Sequence, residues 1–230
     1  MYRLVGVLAL ALIVYTVVMA MAVAGFPKQG PRHEIGPPVL TLELATSGEE
    51  LSNLLEAKKP DDKDFDARGV LRHDTHLDNF YIPIYTAYAL AFIWMIGGGT
   101  RVPVNKLAAV AFFVAVLAAI ADGIENYHIF AALHASEITD ATAAAIRSPS
   151  LVKWASLDVM MLLMAIILFR RTEQPFSRRV NLLLAVLAFT AAGVGICGLE
   201  YRPLIPLSSL LYGGLPLVSV SLLWRKQKES

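Results

Sequence analysis

Asp122, Glu125 and Asn126 are the residues best placed to do chemistry. Spaced i, i+3 and i+4, they share one face of a helix. Two carboxylates and an amide so arranged can hold a cation, share a proton, act as general acid and base, or lock a neighbouring helix by ion pairing. Other polar residues join them once the chain is laid out as spans. Asp78 and Asn79 open the second span, Lys153 and Asp158 lie in the first turns of the fourth, and Cys197, Glu200 and Arg202 stand at the end of the fifth. A lysine among several acids supplies the partner that buried charge requires. The candidate ligand or ion-pair cluster is therefore Asp78, Asp122, Glu125, Asn126, Lys153 and Asp158.

A second group is His73, Asp74, His76 and Asp78, in the run H-D-T-H-L-D. On a helix His73 and His76 share a face. With His128 they form a candidate His/carboxylate metal site, although the zincin spacing H-E-x-x-H is absent. Solvated side chains at a helix entrance explain the run better. Cys197 is the only cysteine, which excludes an intramolecular disulfide and a cysteine redox pair. There is no Gly-rich phosphate loop and no G-x-S-x-G elbow; Gly97 to Gly99 follow a helix, as a cap would. The cofactor is left open, and no catalytic signature favours an enzyme. Tyr81, Tyr85 and Tyr88 read as packing or interface residues.

The elements that must carry these residues are membrane helices. The 230-residue chain is 56% apolar, above the roughly 45–50% of soluble domains. The excess falls in blocks long enough to cross a hydrocarbon core of about 30 Å. Six spans are expected: 4–24, 79–97, 107–132, 151–169, 180–199 and 204–224. Each must be helical, because lipid offers the backbone no hydrogen bonds. The third carries Ala108, Ala111, Ala115, Ala118 and Ala119, small residues that let helices approach closely. On a six-span topology Arg3, Arg101, Lys106, Arg170, Arg171, Arg178, Arg179, Arg225, Lys226 and Lys228 fall on one side. That side is the cytosol, so both termini are cytosolic and the acids of the third span lie toward the outer boundary of an inner (plasma) membrane. A cleaved signal peptide ending at Ala22-Val23-Ala24 is the competing reading of the first segment.

Residues 25–78 are expected to form a small folded outer loop. Leu40, Leu42 and Leu44 alternate with Thr41 and Glu43, the period of a short strand. Ser47 stands three before Glu50, a capping-box pattern. Leu51, Leu54 and Leu55 then follow at helical spacing, giving an amphipathic helix that lies on the membrane or over the bundle. The expected fold class is thus an all-α six-helix transmembrane bundle with a strand-plus-helix outer loop, in a single integral membrane domain.

The runs L-E-L-A-T-S-G-E-E-L-S-N-L-L, L-D-N-F-Y-I-P-I-Y and A-D-G-I-E-N, with a lysine early in the fourth span, resemble a pattern in uncharacterised bacterial multi-pass membrane proteins. The resemblance covers Leu40 to Phe169 and implies no activity. The leading functional expectation is a non-enzymatic ligand-binding, sensing or accessory subunit with a polar pocket open to the outer side. A membrane-embedded enzyme acting on a lipid or isoprenoid is the alternative, and a transporter subunit the second alternative. The expected partners are the bilayer, a lipid or small-molecule ligand, and a membrane protein or second copy. The net charge of +1 argues against nucleic acid.

Overall fold

The computed structural model describes residues 1–27, 38–59, 62–98, 106–170, 178–200 and 214–221, with 195–200 as backbone only. Eight helices occur among the described residues: α1 (Tyr2–Ala22), α2 (Pro38–Glu43), α3 (Gly48–Leu55), α4 (Ala67–Ile96), α5 (Lys106–His134), α6 (Asp140–Arg170), α7 (Arg178–Glu200) and α8 (Gly214–Val220). The chain is all-α. Four helices, α1, α4, α5 and α6, are long and apolar enough to cross a membrane. This is a multi-pass membrane protein.

Two expectations are corrected. The described residues carry four candidate spans rather than six. The expected span 180–199 falls on α7, whose side chains beyond 194 lie outside the described residues. The expected span 204–224 lies outside the described residues except for 214–221, which carry α8.

The second correction concerns 40–44. No β-strand occurs among the described residues, and the only bridge there is isolated, between Lys59 and Asp62. Residues 38–43 are instead α2, and Leu44 N donates to Leu40 O at 3.1 Å. The physical reason is burial. Leu40, Leu42, Glu43, Leu44 and Ala45 are all buried, and a short segment buried on most sides shows no face by which strand and helix can be told apart. Pro38 at the first helical position favours the helix, since its missing N–H would be unpaired there anyway.

The chain divides into two compact units: residues 1–14, 83–118 and 154–230 form one, and 15–82 with 119–153 form the other. Each of α1, α4, α5 and α6 contributes residues to both. In the first unit the buried residues Ala108, Ala111, Ala115 and Ala118 of α5 form a stripe of small side chains. Gly97 sits against α5, and a Cβ there would stand 2.8 Å from Ala108 Cβ. The Tyr88 hydroxyl and Ser219 Oγ lie 2.9 Å apart. Val110, Phe113, Leu117 and Ile120 remain exposed on the same helix, the arrangement expected where lipid rather than protein covers the outer face.

The second unit contains a folded cap. Its core joins Leu42, Leu51, Leu54 and Leu55 of α2 and α3 to Leu71 of α4, Ile129 and Leu133 of α5, and Ile146 of α6, with Phe26 included. Burying a side chain of this size contributes about 1.5–3 kcal/mol, so several together hold the cap over the helices. The apolar face of α3 is thus spent on protein. Helices α4 and α6 are 30 and 31 residues long, about ten more than a crossing needs, and the additional turns build the cap's platform. His73, Asp74 and His76 lie on such turns rather than in a connection.

Ser47 caps α3, accepting from Glu50 N at 3.1 Å. The reciprocal bond of a capping box is displaced by one residue, for Glu50 Oε2 accepts from Thr46 N and Thr46 Oγ1, each at 2.9 Å. Replacing Ser47 by Ala is expected to cost about 1 kcal/mol. The loss is measurable as faster amide exchange confined to 46–55, with the long helices unchanged.

Candidate functional site

The lower rungs of the α5 stripe are small; the upper ones are charged. Following Ala108, Ala111, Ala115 and Ala118 at turns of the helix come Asp122, Glu125 and Asn126, and then Ile129 and Leu133, all buried. A helix repeats every 3.6 residues, so the stripe that packs closely in its first half must carry the carboxylates inward in its second. They lie in the capped unit, together with Lys153 at the end of that unit's share of α6.

Lys153 is the centre of the arrangement. Its Nζ lies 3.0 Å from Glu43 Oε1, 3.2 Å from Asp122 Oδ1 and 2.9 Å from Glu125 Oε1. All four side chains are at most 7% exposed. An ammonium group has three N–H donors and no acceptor; here it donates to Asp122 and Glu125 in charge-assisted bonds about twice as strong as neutral ones, and Glu43 adds an ion pair. The three partners come from different parts of the chain. Asp122 and Glu125 belong to α5, and Glu43 is the last residue of the cap helix α2.

A second set of contacts lies alongside on α4. Asn126 Nδ2 donates to Asp78 Oδ2 at 2.8 Å and to Asn79 Oδ1 at 3.2 Å, and Asp78 is within electrostatic range of Asp122, Lys153 and Glu43. Asp74, one turn earlier, is buried and within range of Glu43. Nearby, Tyr15 of α1 donates to Leu77 O at 3.0 Å, and its ring stacks on Tyr81 at 6.1 Å.

Of the residues singled out in the sequence, the structure brings together Asp122, Glu125 and Lys153, and links Asn126 to Asp78. Asp158 is buried but belongs to the other unit. His73 and His76 are exposed. The His76 ring packs on Phe130 with centroids 4.7 Å apart, and His128 packs edge-on to Tyr127 at 5.4 Å. Among the described residues no group of three or more His, Cys, Asp or Glu side chains is arranged to hold a metal ion, so His73, His76 and His128 are not assembled with a carboxylate into a metal centre. The expected positions Cys197, Glu200 and Arg202 have side chains outside the described residues.

Sequence reasoning missed Glu43 and Asp74 as members of this cluster. A strand at 40–44 turns Glu43 away from the leucines; a helix lets Glu43 and Leu42 both be buried. The signal available was Pro38, a good first helical residue, opening the segment.

No family model matches the chain, and no curated protein or solved structure matches it either, so no family is assigned.

Proposed function

We propose that this chain is a non-enzymatic protein of the inner (plasma) membrane, a small-ligand binder, sensor or accessory subunit, in which a capped carboxylate–lysine cluster near the outer end of the spans is the responsive site. The observation that carries this reading is the clasp at Lys153, where one of the three carboxylates is delivered by the cap. A change in charge at the cluster alters the hold on α2 directly, which gives the site a way to report occupancy. The basic residues Arg3, Lys106 and Arg170 stand at the opposite ends of α1, α5 and α6 from the cluster, which supports placing it on the outer side. The carboxylates engaged with Lys153 are acceptors already in use, a poorer arrangement for general acid–base work than for binding.

The test replaces Asp122 with Asn and Glu125 with Gln together, keeping shape while removing charge. The expected result is a full-length protein that still inserts and stays folded, with faster exchange in 38–58 and failure to complement a strain lacking the gene. Full complementation by a normally folded double variant would eliminate a binding role. Loss of the protein from the membrane would show that the cluster serves stability alone.

A further inference from the structure

Lys153 shows how this site holds an ammonium group: three carboxylate oxygens at 2.9 to 3.2 Å, nearly sealed from solvent. The acids around it outnumber it. Asp74 is 2% exposed and within repulsive range of Glu43, and its Oδ1 has no hydrogen-bond partner among the described residues. Glu125 Oε2, on the carboxylate whose other oxygen binds Lys153, is likewise buried without a partner there. An ionised carboxylate can only accept, so neighbouring carboxylates cannot satisfy these oxygens. Leaving a buried acceptor unpaired is costly, and more so when it is charged. A cation bearing N–H donors at Asp74 answers the missing bond there and the excess negative charge of the acids in range of Glu43. Among the described residues no side-chain group is arranged to hold a metal ion.

The geometry points to a second, diffusible ammonium site: the Glu43–Asp74 side of the cluster binds a small primary ammonium cation, with Asp74 Oδ1 as its principal acceptor. This inference rests on reading the cluster as a binding site rather than a clasp alone. A free amine and the headgroup of phosphatidylethanolamine carry the same chemical group, and the experiment separates them.

Full-length protein in phosphatidylcholine nanodiscs, whose headgroups have no N–H, is titrated calorimetrically at constant ionic strength with methylammonium chloride and, separately, with tetramethylammonium chloride. Saturable methylammonium binding is expected, with tetramethylammonium weaker by about tenfold or more, since it cannot donate. Asp74→Asn is expected to weaken methylammonium by about tenfold or more. If phosphatidylethanolamine in the discs lowers the apparent methylammonium affinity by competition, the site takes the lipid headgroup; if affinity is unchanged, it takes free amines. Equal affinity for the two cations, absence of methylammonium binding to the wild type, or wild-type affinity in a folded Asp74→Asn protein each overturns the inference. Should Asp74→Asn fail to fold, the contrast between the two cations on the wild type decides alone. A wild type that binds no methylammonium, while the Asp122/Glu125 amide variant still fails to complement, sinks the ammonium site and leaves the broader binding reading standing.

Discussion

Lys153→Met is expected to release the cap while leaving the long helices in the membrane. The substitution keeps an unbranched side chain of similar length, so packing changes little. What it removes is the ammonium group that Glu43, Asp122 and Glu125 share. Those carboxylates are buried, and removing one partner of a buried ion pair costs about 3–5 kcal/mol, because the remaining charge is left without compensation. Of the three acids, only Glu43 sits on a short helix able to move away as a unit. Relief therefore comes by lifting α2 into water. Amide exchange in 38–58 should accelerate on the order of a hundredfold or more, with little change in the central turns of α4 to α6. A control separates charge from contact. Adding Glu43→Gln, Asp122→Asn and Glu125→Gln to Lys153→Met removes the stranded charges, and replacing an entire buried ionic cluster is often close to neutral. Exchange should return most of the way to the wild-type rate. If Lys153→Met alone leaves the cap protected, the clasp does not hold it and the sensing mechanism proposed above loses its basis.

That the clasp depends on Glu43 shows where sequence reasoning reached and where it stopped. The acids of α5 were legible because helical periodicity inside a long apolar segment leaves one solution: Asp122, Glu125 and Asn126 share a face, and that face continues the alanine stripe. Lys153 was legible as the only basic residue within the apolar part of its helix. The cap was not. Its leucines are spaced for a strand, and a segment of 6 residues is too short for periodicity to decide between strand and helix. What decides is tertiary: Leu42 must enter the core with Leu51, Leu54 and Leu71, and Glu43 must reach a lysine more than a hundred positions away. The lengths of α4 and α6 were underread for a related reason. Hydropathy marks only the portion that crosses lipid, whereas the turns around His73 and Ala143 are paid for by packing against the cap rather than by solvent exclusion in a bilayer. The same turns drew His73 and His76 apart from any metal-binding geometry, since their exposed positions follow from the helix that buries Leu71, Asp74 and Thr75.

Gly48→Ala tests the cap from its other end. The first residue of α3 is packed against the start of α6. Gly48 N donates to Asp140 Oδ1 at 2.7 Å, and a Cβ on Gly48 would fall 2.6 Å from Thr139 C and 2.9 Å from both Thr139 Cα and Asp140 N. All three are backbone atoms, so no side-chain rotation can make room. The helices must separate, and the hydrogen bond to Asp140 lengthens as they do. Overpacking of this kind costs about 1–3 kcal/mol, against which alanine's better helix propensity returns less than about 1 kcal/mol. The net effect is a loosened cap, seen as faster exchange in 46–58 and earlier proteolysis near 62–66. Gly123→Ala is the matched control. It lies on α5 between the site acids, and a Cβ there meets nothing within 4 Å, so the same change should leave the cap's exchange rates at or slightly below wild type. Equal behaviour of the two variants would show that α3 is not seated on α6 as described. A cap loosened only by Gly48→Ala fixes the second of its two anchors: the clasp at Lys153 holds α2, and the glycine contact holds α3. With both in place, the closure of the site depends on charge at one end and on shape at the other, which is why an amide substitution at Asp122 and Glu125 and a methyl at Gly48 should loosen the same segment by routes that add.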